Sequence, residues 1–328
     1  MKPPPVSERC DANQRSSEVL KTGVCDNLAG SIFRDQSRRI PRRMNHPIST
    51  PPEYDPTMPS DPSSLRPTVE QTRAVWENIA DWWDQQIGEG NDFQKTLIIP
   101  TTDRLLDPKS GETILDVACG NGNYSRLLAR RGVKVVACDY CENFLEAARR
   151  RTTPEDGQIE YRKIDATSMA ELLTLGEGRF DAAVCSMAMM DMIVIDPLLD
   201  SLRELLKPSG RFVFSIPHPC FNNNDMTFTA DFRVQNDRAE QIFGVEIRQY
   251  LSHVPGLSVG IINQPQPHHF FHRPLSAIFS ACFSGGFAID GLEEPAYPAG
   301  AGGAKNPFSW QKRPEIPPAI VIRARPRQ

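Results

Sequence analysis

The sequence lacks any apolar run approaching the ~18 to 20 residues that a membrane span requires, and nothing near its amino terminus has the apolar stretch of a signal peptide. A cytoplasmic protein with no membrane partner is therefore expected. Cysteine is scarce, with 8 in 328 residues. That is too few for a disulfide framework in a chain of this length, and thiols set in strands and turns suit a reducing compartment. Cys138-Asp139-Tyr140-Cys141 spells C-x-x-C but lacks a second Cys or His pair nearby, so no metal is expected. An excess of positive charge is also missing, with 37 Lys and Arg against 41 Asp and Glu. A nucleic-acid partner calls for a basic face, so a small-molecule substrate is the better default. Residues 1–66 are poor in apolar surface and rich in Pro, Ser, Arg and Asp, which predicts a disordered polar tail. Within it, Arg38-Arg39-Ile40-Pro41-Arg42-Arg43 is either an address for the nucleus or an anionic surface, or a solvated charge cluster.

What is present is a short apolar run that breaks into a glycine-containing turn: Ile114-Leu115-Asp116-Val117-Ala118-Cys119-Gly120-Asn121-Gly122-Asn123-Tyr124-Ser125. Residues 113–117 are β-branched and apolar, as a parallel strand buried on both faces should be. Asp116 is the exception, because a carboxylate there is costly to bury unless a cation or hydrogen-bond donors meet it. Gly120 and Gly122 supply a tight turn that lets backbone approach a ligand, and residues 124–130 read as a helix whose free amides face it. A second run, Val133-Lys134-Val135-Val136-Ala137-Cys138-Asp139, ends in a carboxylate about twenty residues beyond the loop, where a βαβ unit brings an acid to ribose hydroxyls. Tyr140 follows it and joins the candidate cofactor contacts. An NAD site uses a similar scaffold, but Ala118 stands where a first glycine is usual and Ser125 where a third would be. An NAD(P)-linked oxidoreductase, or a non-catalytic protein that keeps the fold to serve a partner chain, stays open as the alternative.

The pattern D-x-A-C-G-N-G resembles the first motif of class I S-adenosylmethionine-dependent methyltransferases of the small-molecule type, and the resemblance runs almost continuously over residues 112–216. It implies a Rossmann-like α/β fold: seven mostly parallel strands with an antiparallel last strand, helices on both faces, and a substrate-covering insertion after strand 5. It implies S-adenosyl-L-methionine as cofactor, with Asp116 and Ala118 near its methionine moiety. Asp165, after the third strand, would bond the adenine amino group, and the backbone amide of Ala166 would meet the ring. The transferable methyl and its acceptor would lie beside the end of the fourth strand, which brings in Met187 and Asp191. Asp165 and Asp191 have a plainer alternative as helix caps, and the Met-rich stretch 187–192 one as adaptable wall. Methyltransferases acting on exocyclic amines of nucleic-acid bases typically carry a Pro-Pro-aromatic segment here, and it is absent. Leu205-Leu206-Lys207-Pro208-Ser209-Gly210 is similar to the turn that introduces the fifth strand in this family.

Outside that core, residues 75–84 form an aromatic helix of the kind that covers cofactor and substrate in small-molecule methyltransferases. Trp82 or Trp83 could close over the sulfonium, with packing into the core as the alternative, and Trp83 and Phe93, which lies beyond the helix, are candidate substrate contacts. Five of six histidines follow the fifth strand, at His218, His253, His268, His269 and His272. His218 and His272 are the candidate bases and substrate contacts, since a histidine near pKa 6.5 can take a proton where geometry permits; each is as readily structural. Pro- and Gly-rich residues 296–318 are read as a mobile surface loop. The expected layout is a tail (1–66) and a methyltransferase domain (67–328) made of a helical cover (70–106), cofactor core (112–216), His-rich substrate insertion (217–275) and closing strands (276–328). The expected function is in-line methyl transfer to a small organic metabolite, by association one of secondary metabolism, with oligomeric state open.

Overall fold

The computed structural model describes residues 67–328 apart from 236–237, 254, 301–305 and 328, so the tail at 1–66 lies outside the described residues. The first element is α1 (Val69–Ile87), opened by a capping box between Thr68 and Gln71. Its buried residues Thr72, Val75, Trp76, Ile79 and Ala80 recur at the spacing that lays a single stripe on a helix. A π-helical turn over Gln94–Ile98 leads into α2 (Ile99–Leu106). Then come β1 (Thr113–Val117), α3 (Asn123–Ala129), β2 (Lys134–Asp139), α4 (Glu142–Arg151), β3 (Ile159–Lys163), α5 (Met169–Leu173), β4 (Phe180–Ser186), α6 (Asp196–Leu205) and β5 (Leu206–Pro217). Two small antiparallel pairs follow, β6 (Met226–Gln235) with β7 (Arg238–Ile247) and β8 (Gly256–Ser258) with β9 (His268–Phe270). The described chain closes with α7 (Leu275–Ser284), β10 (Phe287–Glu293) and β11 (Ala319–Pro326).

The main sheet has seven strands in the order β10-β11-β5-β4-β1-β2-β3. All neighbours from β5 to β3 run parallel, and β11 runs antiparallel to both β5 and β10. The architecture is the one expected. Alternation along the strands divides two cores: Leu115 and Val117 pack with Leu172, Leu198, Leu202 and Ile278 of α5, α6 and α7, while Ile114 joins Leu105, Leu106 and Leu128 on the opposite face. The chain runs outward from β1 to β3 and then returns to β4, so a crevice opens where β1 and β4 diverge at their carboxyl ends.

α1 is fastened across that crevice by polar contacts. Asp84 accepts from Asn121 Nδ2 (2.9 Å) and from Arg151 Nε (2.5 Å), which joins the helix to the turn after β1 and to α4 at once. Glu77 accepts from the backbone N–H groups of Glu142 (2.9 Å) and Asn143 (3.3 Å), capping α4 from outside. One expectation fails here. Much of the described part of residues 296–318 is bound down: Tyr297 is buried, and the buried Arg313 donates to the carbonyls of Gly244, Thr229, Pro307 and Ser309 with its guanidinium 4.1 Å from the ring centroid of Phe228. A cation over an aromatic face, with its donors met by backbone, holds a loop that composition alone marks as loose.

Candidate active site

A cavity of about 740 Å³ occupies the crevice, within the size range of small-molecule sites. Its floor is the turn after β1. Ala118, Gly120 and Gly122 all have positive φ, at 53°, 54° and 72°, so the turn requires left-handed backbone at each. For Ala118 that is a strained conformation, of the kind that concentrates at functional sites. A Cβ on Gly120 would enter open space, whereas one on Gly122 would stand 2.5 Å from Tyr161 Oη and 3.0 Å from Ala148 Cβ. Gly120 therefore borders the cavity, and Gly122 permits the close packing of α3 against α4 and β3. Gly122, an expected ligand contact, is not among the residues that line the cavity.

Asp116 and Asp139 are both buried and both line the cavity. Asp139 holds its pose through one backbone amide per oxygen, Gly120 N–H to Oδ2 and Cys141 N–H to Oδ1, each at 2.9 Å. One lone pair on each oxygen is left, the arrangement that suits a vicinal diol. Asp116 Oδ2 accepts from Ser125 Oγ at 2.5 Å, so the serine that replaces a third glycine serves the carboxylate. Burial pushes the Asp116 carboxyl up to about 7, with Ser125 opposing and Asp139 adding, and pushes Asp139 up to about 6 against the backbone amides of Cys141, Gly120 and Tyr140.

Tyr140, Asp165, Ala166, Met187, Trp83, Phe93 and Asp191 also line the cavity. Asp165 Oδ1 accepts from Thr167 N–H (2.8 Å) and Oγ1 (2.6 Å), while Ser168 caps α5, so the capping alternative for Asp165 does not hold. Asp191 caps nothing either, because α6 has no side-chain cap and Asp191 Oδ1 is buried without a hydrogen-bond partner. Met187, like Ala118, carries a positive φ (54°), with its N–H held by Ser215. Burial, and then nearby negative charge led by Asp139 and Asp191, pushes the Tyr140 hydroxyl up.

The two candidate bases lie elsewhere. His218 is buried outside the cavity with Nε2 2.7 Å from Glu294 Oε1 and Nδ1 accepting from Cys220 N–H, so both ring nitrogens are engaged. It joins the end of β5 to the segment after β10. His272 donates Nε2–H to the Tyr250 carbonyl (2.7 Å) and borders a separate small void rather than the cavity. Burial lowers the pKa of both. The histidine that does line the cavity is His268, with Nε2 3.7 Å from Asp191 Oδ1 and its ring 4.8 Å from that of Trp76. Strand alternation was the available signal, since His268 and Phe270 of β9 are buried and His269 between them is less so. Arg273 was missed as well. It donates to the carbonyls of Met192 (2.7 Å), Ile193 (2.8 Å) and Met189 (3.3 Å), and so holds the segment bearing Asp191.

Charge sorts the ligands this cavity suits. Asp92, Asp116, Asp139, Asp165 and Asp191 line it, and among the described residues no lysine or arginine does. A nucleoside bearing an ammonium and a sulfonium fits five carboxylates; a pyrophosphate would meet repulsion.

Comparison with known proteins agrees. Residues 114–210 match the family described as methyltransferase domain. The chain is 35% identical over 153 residues to a demethylmenaquinone methyltransferase of Clavibacter sepedonicus, a match covering 45% of this chain and 59% of that protein. It is 33% identical over 140 residues to a ubiquinone biosynthesis O-methyltransferase of Alkalilimnicola ehrlichii, covering 41% and 53%. The chain thus spans between half and two thirds of the length of these curated relatives. Among solved structures, an S-adenosylmethionine dependent methyltransferase from Mesorhizobium loti superposes with a TM-score of 0.53 at 25% identity, covering 69% of this chain and 96% of that one. Taken with the strand order and the turn after β1, these matches place the core of this chain among the class I S-adenosylmethionine-dependent methyltransferase domains.

Proposed function

We propose that this chain binds S-adenosylmethionine in the acidic cavity and transfers its methyl group to a small organic acceptor by in-line displacement. The observation that carries the reading is Asp139, fixed by two backbone amides at the end of β2 with outer lone pairs left on both oxygens. In this reading Asp139 holds the ribose diol, Asp116 the ammonium, and Asp165 with the Ala166 amide the adenine. When bound, the cofactor supplies a methyl group already activated by a sulfonium. The protein's part is to align acceptor and methyl and exclude water, and positioning of that kind supplies roughly 7 to 11 kcal/mol. Lining by Trp76, Trp83, Phe93 and Phe270 supports an apolar small-molecule acceptor, in keeping with the quinone-related names of the relatives.

Calorimetry on the full chain tests this directly. S-adenosylmethionine and its demethylated product bind and NAD does not. Asp139→Ala weakens both sulfur ligands by roughly ten- to a hundredfold, the loss of charge-assisted hydrogen bonds. Binding of NAD in preference to either sulfur ligand would sink the reading.

A further inference from the structure

Resting on that reading, we propose that the acceptor atom is a hydroxyl oxygen on a flat apolar skeleton, held between His268 and Asp191, with Asp191 taking its proton. Asp191 Oδ1 and His268 Nε2 face each other at 3.7 Å, too far for a hydrogen bond, and both residues line the cavity. Asp191 Oδ1 is buried with no partner, and a buried polar atom left unmet is costly. A ligand oxygen placed beside this pair, off the line that joins them, meets the His268 imidazole and the Asp191 carboxylate together.

The histidine tautomer is set from behind. Gln264 Oε1 accepts from Gly260 N–H (3.1 Å) and Gln264 Nε2 donates to the Gln266 carbonyl (2.6 Å), which fixes the amide's orientation. The group facing His268 Nδ1 at 3.1 Å is therefore the NH₂, and Nδ1 accepts. The proton of the neutral ring is then on Nε2, so the pair offers one donor, His268 Nε2–H, and one acceptor, the Asp191 carboxylate.

A hydroxyl matches this pair and still has a lone pair to react with. Its hydrogen goes to Asp191, one lone pair accepts from His268, and the second stays free for the methyl carbon. A neutral amine has a single lone pair, which His268 would occupy, and a carbon nucleophile has no hydrogen-bond partner to offer. Trp76, Trp83, Phe270, Phe228 and Trp310 line the same cavity and suit a flat apolar body. In the transfer the acceptor O–H bond breaks with its proton passing to the Asp191 carboxylate, and the C–O bond forms. The C–S bond breaks with its electron pair going to sulfur, leaving a neutral thioether, and Asp191 returns the proton to water. Burial holds the Asp191 carboxyl well above the usual range, so the carboxylate formed beside a cationic donor is a strong base.

The test separates this proposal from the reading beneath it. Failure to bind S-adenosylmethionine or its demethylated product overturns the methyl-transfer reading itself. With that binding intact, 4-nitrophenol and 4-nitroaniline are titrated by visible absorbance into the full chain saturated with the demethylated product. Nitrophenol binds roughly tenfold or more tightly than nitroaniline, the margin of a well-made hydrogen-bond pair. His268→Phe, which keeps the stacking on Trp76, removes that preference, and His268→Gln restores part of it through its amide N–H. Absence of nitrophenol binding, equal affinities, or a preference unmoved by His268→Phe overturns the proposal. In parallel, 2-aminophenol with S-adenosylmethionine offers both atoms on one ring, and mass spectrometry reads the product. O-methylation that falls roughly a hundredfold in kcat with little change in KM for Asp191→Asn supports the proposal; N-methylation overturns it. If 2-aminophenol is not turned over, the nitrophenol titration decides.

Discussion

Asp116 and Asp139 sit side by side with raised pKa values of about 7 and about 6, and that sets how cofactor binding depends on pH. Below these values the two carboxyls are protonated and neutral. A cationic ligand and its hydrogen-bond donors favour the carboxylate forms, so binding releases protons, and affinity rises with pH until the free site is already ionised. S-adenosylmethionine affinity is therefore expected to increase between pH 5.5 and pH 7.5 by about tenfold or more and then level off. Calorimetry in buffers of different ionisation enthalpy measures both the trend and the protons released. Asp139 was legible in the sequence because its task depends on a fixed distance from the turn and a fixed end of a strand. His268 was not, because choosing among five histidines needs the orientation of a three-residue strand whose partner, β8, is equally short. Asp191 was legible as a candidate, but its missing partner is a property of the surrounding walls.

α1 depends on Asp84, whose carboxylate joins the turn after β1 and α4 in one contact. Asp84→Ala leaves the Asn121 NH₂ with only the Gly88 carbonyl and removes the main partner of a half-buried Arg151. A cost of about 2 kcal/mol is expected, together with weaker cofactor binding, because the turn loses its anchor. Denaturant titration measures the first and calorimetry the second, and hydrogen exchange should rise in α1 and in residues 118–123 ahead of the sheet. The main strands and helices were readable because each carries its own period and end signals. The segment around Arg313 was not, since its order comes from Phe228 and the Gly244 and Thr229 carbonyls, contributed by a hairpin more than sixty residues earlier. Composition reports local freedom and is blind to such long-range anchoring.

In the whole molecule, the described strands and helices form a two-faced core around one sheet, and the cavity lies where the strand order reverses. A ligand there touches α1, the ends of β1 to β4, the segment after β5 and the segment before β11, so it ties together pieces far apart in sequence. At one hundred times its dissociation constant such a ligand stabilises the native state by about 2.7 kcal/mol. In a domain of this size that raises the midpoint of thermal unfolding by roughly 5 to 10 °C. Differential scanning fluorimetry with the demethylated product should show the rise, and Asp139→Ala should abolish most of it at the same ligand concentration. The carboxylates around the cavity have one more consequence. The donor enters with a positively charged sulfur and leaves without that charge, so the same five aspartates that draw it in hold the spent ligand less firmly, and each turnover weakens the grip on its own by-product.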